Sequence, residues 1–212
     1  MRVRLRQGFV LWLILAAPAG IGADQQGDSY RLVASESSVI IHVGTSGLLS
    51  FAGHDHEVSA PAMTGAVEID PANPSRSVVT AEFRAASLKV TGRGEPPSDI
   101  PEVQRTMLGE RVLDVERFPV ITFRSTSVSA SGPGSGSADV TVRGDLTLHG
   151  VTRPVSVTGT VTVAADVLTF RGRSNIRQTD FGIRPVTAGA GTVRVKNDLA
   201  VELTIVARMG PK

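Results

Sequence analysis

The amino-acid sequence predicts an all-β fold, an antiparallel barrel of about eight strands with one short helix capping a mouth. Strict alternation is the first observation. In 137–149, SADVTVRGDLTLH, Ala138, Val140, Val142, Leu146 and Leu148 fall on one side, while Ser137, Asp139, Thr141, Arg143, Asp145, Thr147 and His149 fall on the other. A period of two sets one face of a strand against a core and the other in water. Length is the second observation. The runs 151–163 and 192–207 exceed the roughly five or six residues of an ordinary strand. A two-sheet sandwich has the same periodicity, but long strands tilt and coil into a closed sheet more readily than they stack flat. The third is the scarcity of helical spacing, which leaves little to cover an open sheet. The inward face is Val, Ala, Gly, Leu and a few Phe, so the lumen is expected to remain partly unfilled.

The elements follow in order. Residues 24–29, ADQQGD, form a solvated lead-in, and strands begin near Tyr30. Val39, Ile41 and Val43 alternate with Ile40 and His42; Met63, Gly65, Val67 and Ile69 alternate with Thr64, Ala66, Glu68 and Asp70. Val79, Ala81, Phe83 and Ala85 continue the pattern until the phase slips at Ala85-Ala86, so that Leu88 and Val90 become the apolar positions. A one-residue slip of that kind predicts a β-bulge and a bent strand. TGRGEPP (91–97) reads as a loop. Asp99 with Glu102 predicts a capping box, Pro101 suits the first helical turn, and Ile100, Val103, Met107 and Leu108 have helical spacing up to Gly109. That stripe is expected to be core, with a lid over the mouth as the alternative. A short turn spans Asp114 to Arg117, before Pro119. Beyond it, Ile121 and Phe123 open a strand, SASGPGSGS (129–137) is a hairpin tip, and His149-Gly150-Val151 is a turn. Val155, Val157, Gly159, Val161 and Val163 share a face, Leu168 and Phe170 follow, and TAGAGT (187–192) precedes a last strand in which Asn197 interrupts an apolar face.

Residues 1–23 stand apart. Arg2, Arg4 and Arg6 precede the apolar run Phe9–Ala17, and Ala17-Pro18-Ala19 or a site ending at Ala23 offers small residues for cleavage. This is the pattern of a secretory signal, too short to span a bilayer comfortably. No cysteine follows it, so no lipoprotein anchor, disulfide or thiolate chemistry is expected. Removing the three arginines leaves 19 basic residues of the original 22 against 20 acidic ones, a net charge near −1. Such a chain has no bias towards nucleic acid or anionic lipid. Residues 24–212 are read as one domain, periplasmic or secreted and not an integral membrane protein, with homodimerisation left open.

LDVERFPVITFRSTSV (113–128), GDLTLHGVTRPVSV (144–157) and RSNIRQTDFGI (173–183) together resemble the YceI-like, polyisoprenoid-binding family of secreted bacterial proteins. The resemblance runs from Tyr30 to Ala207. It implies a lipocalin-like eight-stranded barrel, exported and non-enzymatic, enclosing a long isoprenoid or similar amphiphile, with no cofactor. Many members carry an Arg-Asp-x-His-Leu segment after the strand corresponding to 77–90, whereas this chain has a Pro-rich loop and the helix near Pro101. GHDHEV (53–58) is a second departure.

Candidate ligand contacts follow. Phe83, Val142, Leu146, Phe170 and Val201 are lumen positions by parity, and His54, His56, Arg177, Asp180 and Asn197 are rim or headgroup candidates. His54 and His56, two apart, share a face with Val58 if the strand is regular. They could take a metal, with His42 as a third ligand, or donate to a phosphate or quinone oxygen. A polar turn and solvated strand end is the plainer reading and is preferred, so no metal site is favoured. Arg177 and Asp180 read first as a structural ion pair. His149 reads as structural. Asn197 needs hydrogen-bond partners, either backbone at a bulge or a ligand. No nucleophile elbow, phosphate loop or dinucleotide fingerprint is present, and no enzyme activity is expected. A ligand-free β-sandwich acting as an interaction domain is the remaining alternative.

Overall fold

The computed structural model describes residues 28–46, 55–70, 73–132, 136–188 and 193–210. The expected signal and His54 lie outside them. Eight antiparallel staves close on themselves. Three are kinked pairs of strands: β1 (Asp28–Leu32) with β2 (Ser38–Val43), β4 (His56–Ser59) with β5 (Met63–Ile69), and β6 (Val78–Arg84) with β7 (Lys89–Val90). The other five are long single strands, β8 (Val120–Ser131), β9 (Ser137–Leu148), β10 (Val151–Ala164), β11 (Val167–Arg177) and β14 (Asp198–Met209). Pairing runs in chain order from β1 and β2 round to β14, and β14 closes the ring. One edge of β14 pairs with β11 throughout. The other pairs with β2, from Ala200↔His42 to Thr204↔Ser38, and then with β1, from Ala207↔Leu32 to Met209↔Tyr30.

A short helix, α1 (Ile100–Leu108), sits beside β7 at one end of the barrel. A small second sheet there joins β12 (Thr187–Ala188), β13 (Val193–Val195) and β3 (Thr45–Ser46). Ile100, Val103, Met107 and Leu108 pack against the buried cluster that includes Val58, Met63, Leu88, Leu113, Phe181 and Ile183. The stripe packs on the core without being fully buried, and Val103 and Met107 also line the cavity, so the helix covers that end of the lumen as well. A smaller cluster of Tyr30, Leu168 and Ala207, 2%, 3% and 0% exposed, pins the β1–β14–β11 seam near the other end.

Several local expectations are corrected. The slip at Ala85-Ala86 is a 3-10 turn over Ala85–Ser87, not a bulge; it bends the stave and resets the phase at Leu88. A true bulge lies in β8, between Ser125 and Ser127 opposite β9. Phe123 and Val128 both line the lumen only because of that extra residue. The capping box does not form: Asp99 is itself helical, makes no cap bond, and accepts from Ser98 Oγ at 2.9 Å, while Glu102 pairs with Arg105. The last strand breaks at Lys196-Asn197, which is why Asn197 interrupts the apolar face. His149 and Gly150 have φ values of 52° and 72°, the left-handed pair of a two-residue hairpin whose twist matches the flanking strands.

Candidate ligand cavity

Inward-facing side chains surround a cavity of about 1040 Å³ that extends the length of the barrel. Single-ligand pockets span roughly 300–1,000 Å³, so this one suits a large ligand. Phe83, Val142, Leu146, Phe170 and Val201 all lie on its wall. The inward valines of β10 stay only half-buried although they face the interior. Their remaining exposure is cavity wall, which is why the interior is not a packed core.

Glycines explain how the phenylalanines leave room. A side chain at Gly144 would bring its first carbon to 2.6 Å from Cζ of Phe123, and one at Gly172 to 2.2 Å from Cζ of Phe170. Both rings lie back over bare backbone, covering glycines on the wall rather than filling the lumen. Polar wall residues gather towards the ends, apart from Ser174 on β11, whose hydroxyl donates to the Ser156 carbonyl. Asp28, Asp70, Ser77 and Ser137 ring the end away from α1, and His56, Glu102, Thr106, Arg111 and Gln178 line the helix end.

His56 is on the wall because it pairs across the sheet with Val43, which also faces in. Its Nδ1 lies 3.1 Å from Oε1 of Glu95, whose side chain is 1% exposed. Neighbouring His42 faces out, 3.6 Å from Glu202. His42 and His56 therefore diverge through the sheet and cannot share a metal. His54 lies outside the described residues.

Other candidates are used by the fold itself. Asn197 is not on the cavity wall; its Oδ1 accepts from the Thr179 N–H at 3.0 Å and its Nδ2 donates to Thr179 Oγ1 at 2.9 Å. This ties the 3-10 turn Gln178–Phe181 to the start of β14. Arg177 and Asp180 form an exposed pair at 3.2 Å, also away from the wall. His149 Nδ1 lies 3.2 Å from the Phe181 carbonyl, with its ring edge-on to Phe118 at 4.7 Å. The same Phe118 ring covers Gly150.

Two residues escaped the sequence reading. Glu95 falls in the stretch read simply as a loop. Gln104 lies outside the apolar stripe of α1, and its Oε1 accepts from the Val90 N–H while its Nε2 donates to the Leu88 carbonyl, both at 2.8 Å. β8 pairs with β6 but not with β7, and Gln104 supplies the partner that β7 lacks. Neither residue has a local sequence signal, because both partners are remote in the chain.

Comparison with known proteins agrees with this architecture. A UPF0312 protein of Shewanella putrefaciens is 28% identical over 208 residues, covering 95% of this chain and 98% of that protein. A UPF0312 protein of Pseudomonas syringae pv. tomato is 34% identical over 126 residues, 57% of this chain, and the match spans 59% of that relative. Among solved structures, BcnA of Burkholderia cenocepacia superposes with a TM-score of 0.62 at 18% identity, covering 82% of this chain and 98% of that one. A polyisoprenoid binding domain from Saccharophagus degradans, implicated in plant cell wall breakdown, gives 0.60 at 12% identity, covering 85% and 98%. These two likenesses establish a shared fold. The family model of the YceI-like domain matches residues 30–207, from within β1 to within β14 and so nearly the whole barrel, and the chain belongs to the YceI-like family.

Proposed function

We propose that the protein is an exported, non-enzymatic binding protein that carries or sequesters an isoprenoid or similar lipid-like amphiphile in the barrel lumen. The observation that carries this reading is the apolar cavity of about 1040 Å³, with its aromatic rings folded back onto Gly144 and Gly172. Burial of a tail supplies the affinity. At about 25 cal/mol per Å², each 100 Å² of tail removed from water contributes about 2.5 kcal/mol. A tail covered over roughly 600 Å² contributes about 15 kcal/mol, enough to offset a loss of translational and rotational freedom of about 4–15 kcal/mol. The polyisoprenoid binding domain of Saccharophagus degradans shares the fold, which supports this ligand class. The basic, apolar and small-residue pattern of 1–23 supports export to the periplasm or beyond.

The test is native mass spectrometry of protein purified from a bacterial periplasm, followed by organic extraction. A discrete bound mass of prenyl type is the expected result. A clean unliganded mass that is also unchanged by added prenyl lipids would refute the reading.

A further inference from the structure

Among the described residues, few buried polar side chains lack an aligned hydrogen bond. They are His42 at Nε2, His56 at Nδ1 and Glu95 at both carboxylate oxygens. Glu95 stands out, because the comparable buried groups are satisfied. Glu57 accepts from Thr91 Oγ1 at 3.0 Å and lies 3.5 Å from Arg93; Gln178 donates to the Lys196 carbonyl at 2.8 Å; Ser174 donates to the Ser156 carbonyl at 2.8 Å. A carboxylate removed from water and left with one imperfect partner is costly.

The loop that holds Glu95 is specifically built. Gly92 and Gly94 both take left-handed φ, 77° and 79°. A side chain at Gly92 would sit 2.6 Å from Cδ1 of Ile100, on the first turn of α1. The Thr91 N–H donates to the Glu57 carbonyl at 2.8 Å, fixing the loop to β4 beside His56. Backbone that only glycine adopts easily is thus used to press a carboxylate against an imidazole on the cavity wall.

The chemistry of the pair follows from its orientation. Nδ1 is buried against Glu95, while 20% of the His56 side chain is exposed. The side chain's exposure lies on atoms other than Nδ1, and His56 is a cavity-wall residue. With a carboxylate oxygen 3.1 Å from Nδ1, the tautomer that places its hydrogen on Nδ1 is the one Glu95 favours, and in that tautomer Nε2 is a hydrogen-bond acceptor. The buried negative charge behind it disfavours an anionic head at the same place. We propose that His56, positioned by Glu95, is a headgroup anchor at the helix end of the lumen, selecting an uncharged amphiphile whose head donates a hydroxyl hydrogen. This rests on the lumen reading above and adds the orientation: head towards α1, tail towards the Tyr30 end.

Three probes with one tail test it: geranylgeraniol, its methyl ether and its diphosphate, measured by competition against a fluorescent lipid. The alcohol and ether share the oxygen but only the alcohol donates. In wild type the alcohol is expected to bind about tenfold more tightly than the ether, the size of one good hydrogen bond. His56→Phe keeps a ring of similar bulk and should bring the two within about twofold, chiefly by weakening the alcohol. Glu95→Gln should narrow the same gap, and nitrogen NMR should show His56 moving away from the Nδ1–H form. Equal binding of alcohol and ether by wild type, or tighter binding of the diphosphate, would overturn the anchor and leave the lumen reading standing. Failure of all three to bind would overturn both. Since the wild-type comparison is decisive alone, poor folding of either variant would not shield the proposal.

Discussion

Gln104 gives the sharpest quantitative test of how the barrel is closed. Its amide mimics a strand, bonding the N–H of Val90 and the carbonyl of Leu88 at 2.8 Å each. Val90 and Leu88 are 8% and 7% exposed, so water does not readily replace the lost partners. Gln104→Ala leaves one donor and one acceptor unpaired, each worth about 1–3 kcal/mol when buried. The better helix propensity of alanine returns only a few tenths of a kcal/mol. Relaxation and some water entry lower the total, and a net loss of about 2–4 kcal/mol is expected. With a urea slope of about 1–3 kcal/mol per M, the midpoint falls by about 1–2 M. Amide exchange of Val90 should accelerate alongside, since this is the edge that α1 protects. Gln104→Glu retains an acceptor for Val90 but sets a carboxylate against the Leu88 carbonyl, and should keep most of the loss. A change below about 0.5 kcal/mol, the range of ordinary surface substitutions, with Val90 exchange unaltered, would refute the reasoning.

Other perturbations address the lumen and the seam. Val142→Trp and Val201→Trp, both on the cavity wall, should cut prenyl-lipid loading at least tenfold while a β-type circular dichroism spectrum survives; full loading of folded variants would argue against an internal site. Gly172→Ala sets a methyl 2.2 Å from the Phe170 ring and 2.6 Å from the Thr158 carbonyl. It should destabilise by about 1–3 kcal/mol through overpacking, measured by urea unfolding, and swing Phe170 into the lumen, seen as reduced ligand capacity. Burial foremost, then Asp28 and Asp166, raises the Tyr30 hydroxyl above its usual value of 10. The folded state therefore keeps the proton that the unfolded chain releases. The associated stability is intact below pH 10 and is lost as pH climbs through the folded value. Tyr30→Phe should flatten that alkaline decline in thermal melts, and an identical decline in both proteins would contradict it. Asn197→Ala removes both bonds to Thr179 and should cost about 1–2 kcal/mol, checked by denaturation.

What the sequence discloses and conceals follows the range of each interaction. Val155 to Val163 and Ala138 to Leu148 declared their inward faces because a period-two pattern is local and every lumen position repeats it. The outward position of His42 was legible in the same way, being flanked by Ile41 and Val43. The slip at Ala85-Ala86 was visible as a change of phase but not as a turn, since both devices shift the register alike. The β8 bulge was hidden in RSTS (124–127), where polar residues occupy both faces and carry no phase. Asn197 stood out on an apolar face, but neither the strand break there nor its partner Thr179 was legible. Glu95 was silent. Its meeting with His56 spans a Gly-rich loop and the β4–β7 pairing, and nothing near either residue encodes the other.

The seam at β14 has a consequence for how the molecule forms. Most neighbours in this ring are close in sequence and can pair as they become available, but Tyr30↔Met209 and His42↔Ala200 join segments some 160 to 180 positions apart. No lumen exists until that final zipper closes, because eight staves joined at only seven seams leave two open edges and a slot in the wall. Loop-closure entropy makes such distant pairings slow, and an unzipped β1–β2 edge is a template for pairing with other chains. The rate of closing this one seam, more than the formation of any hairpin, is what should govern both the yield of cavity-competent protein and its escape from aggregation.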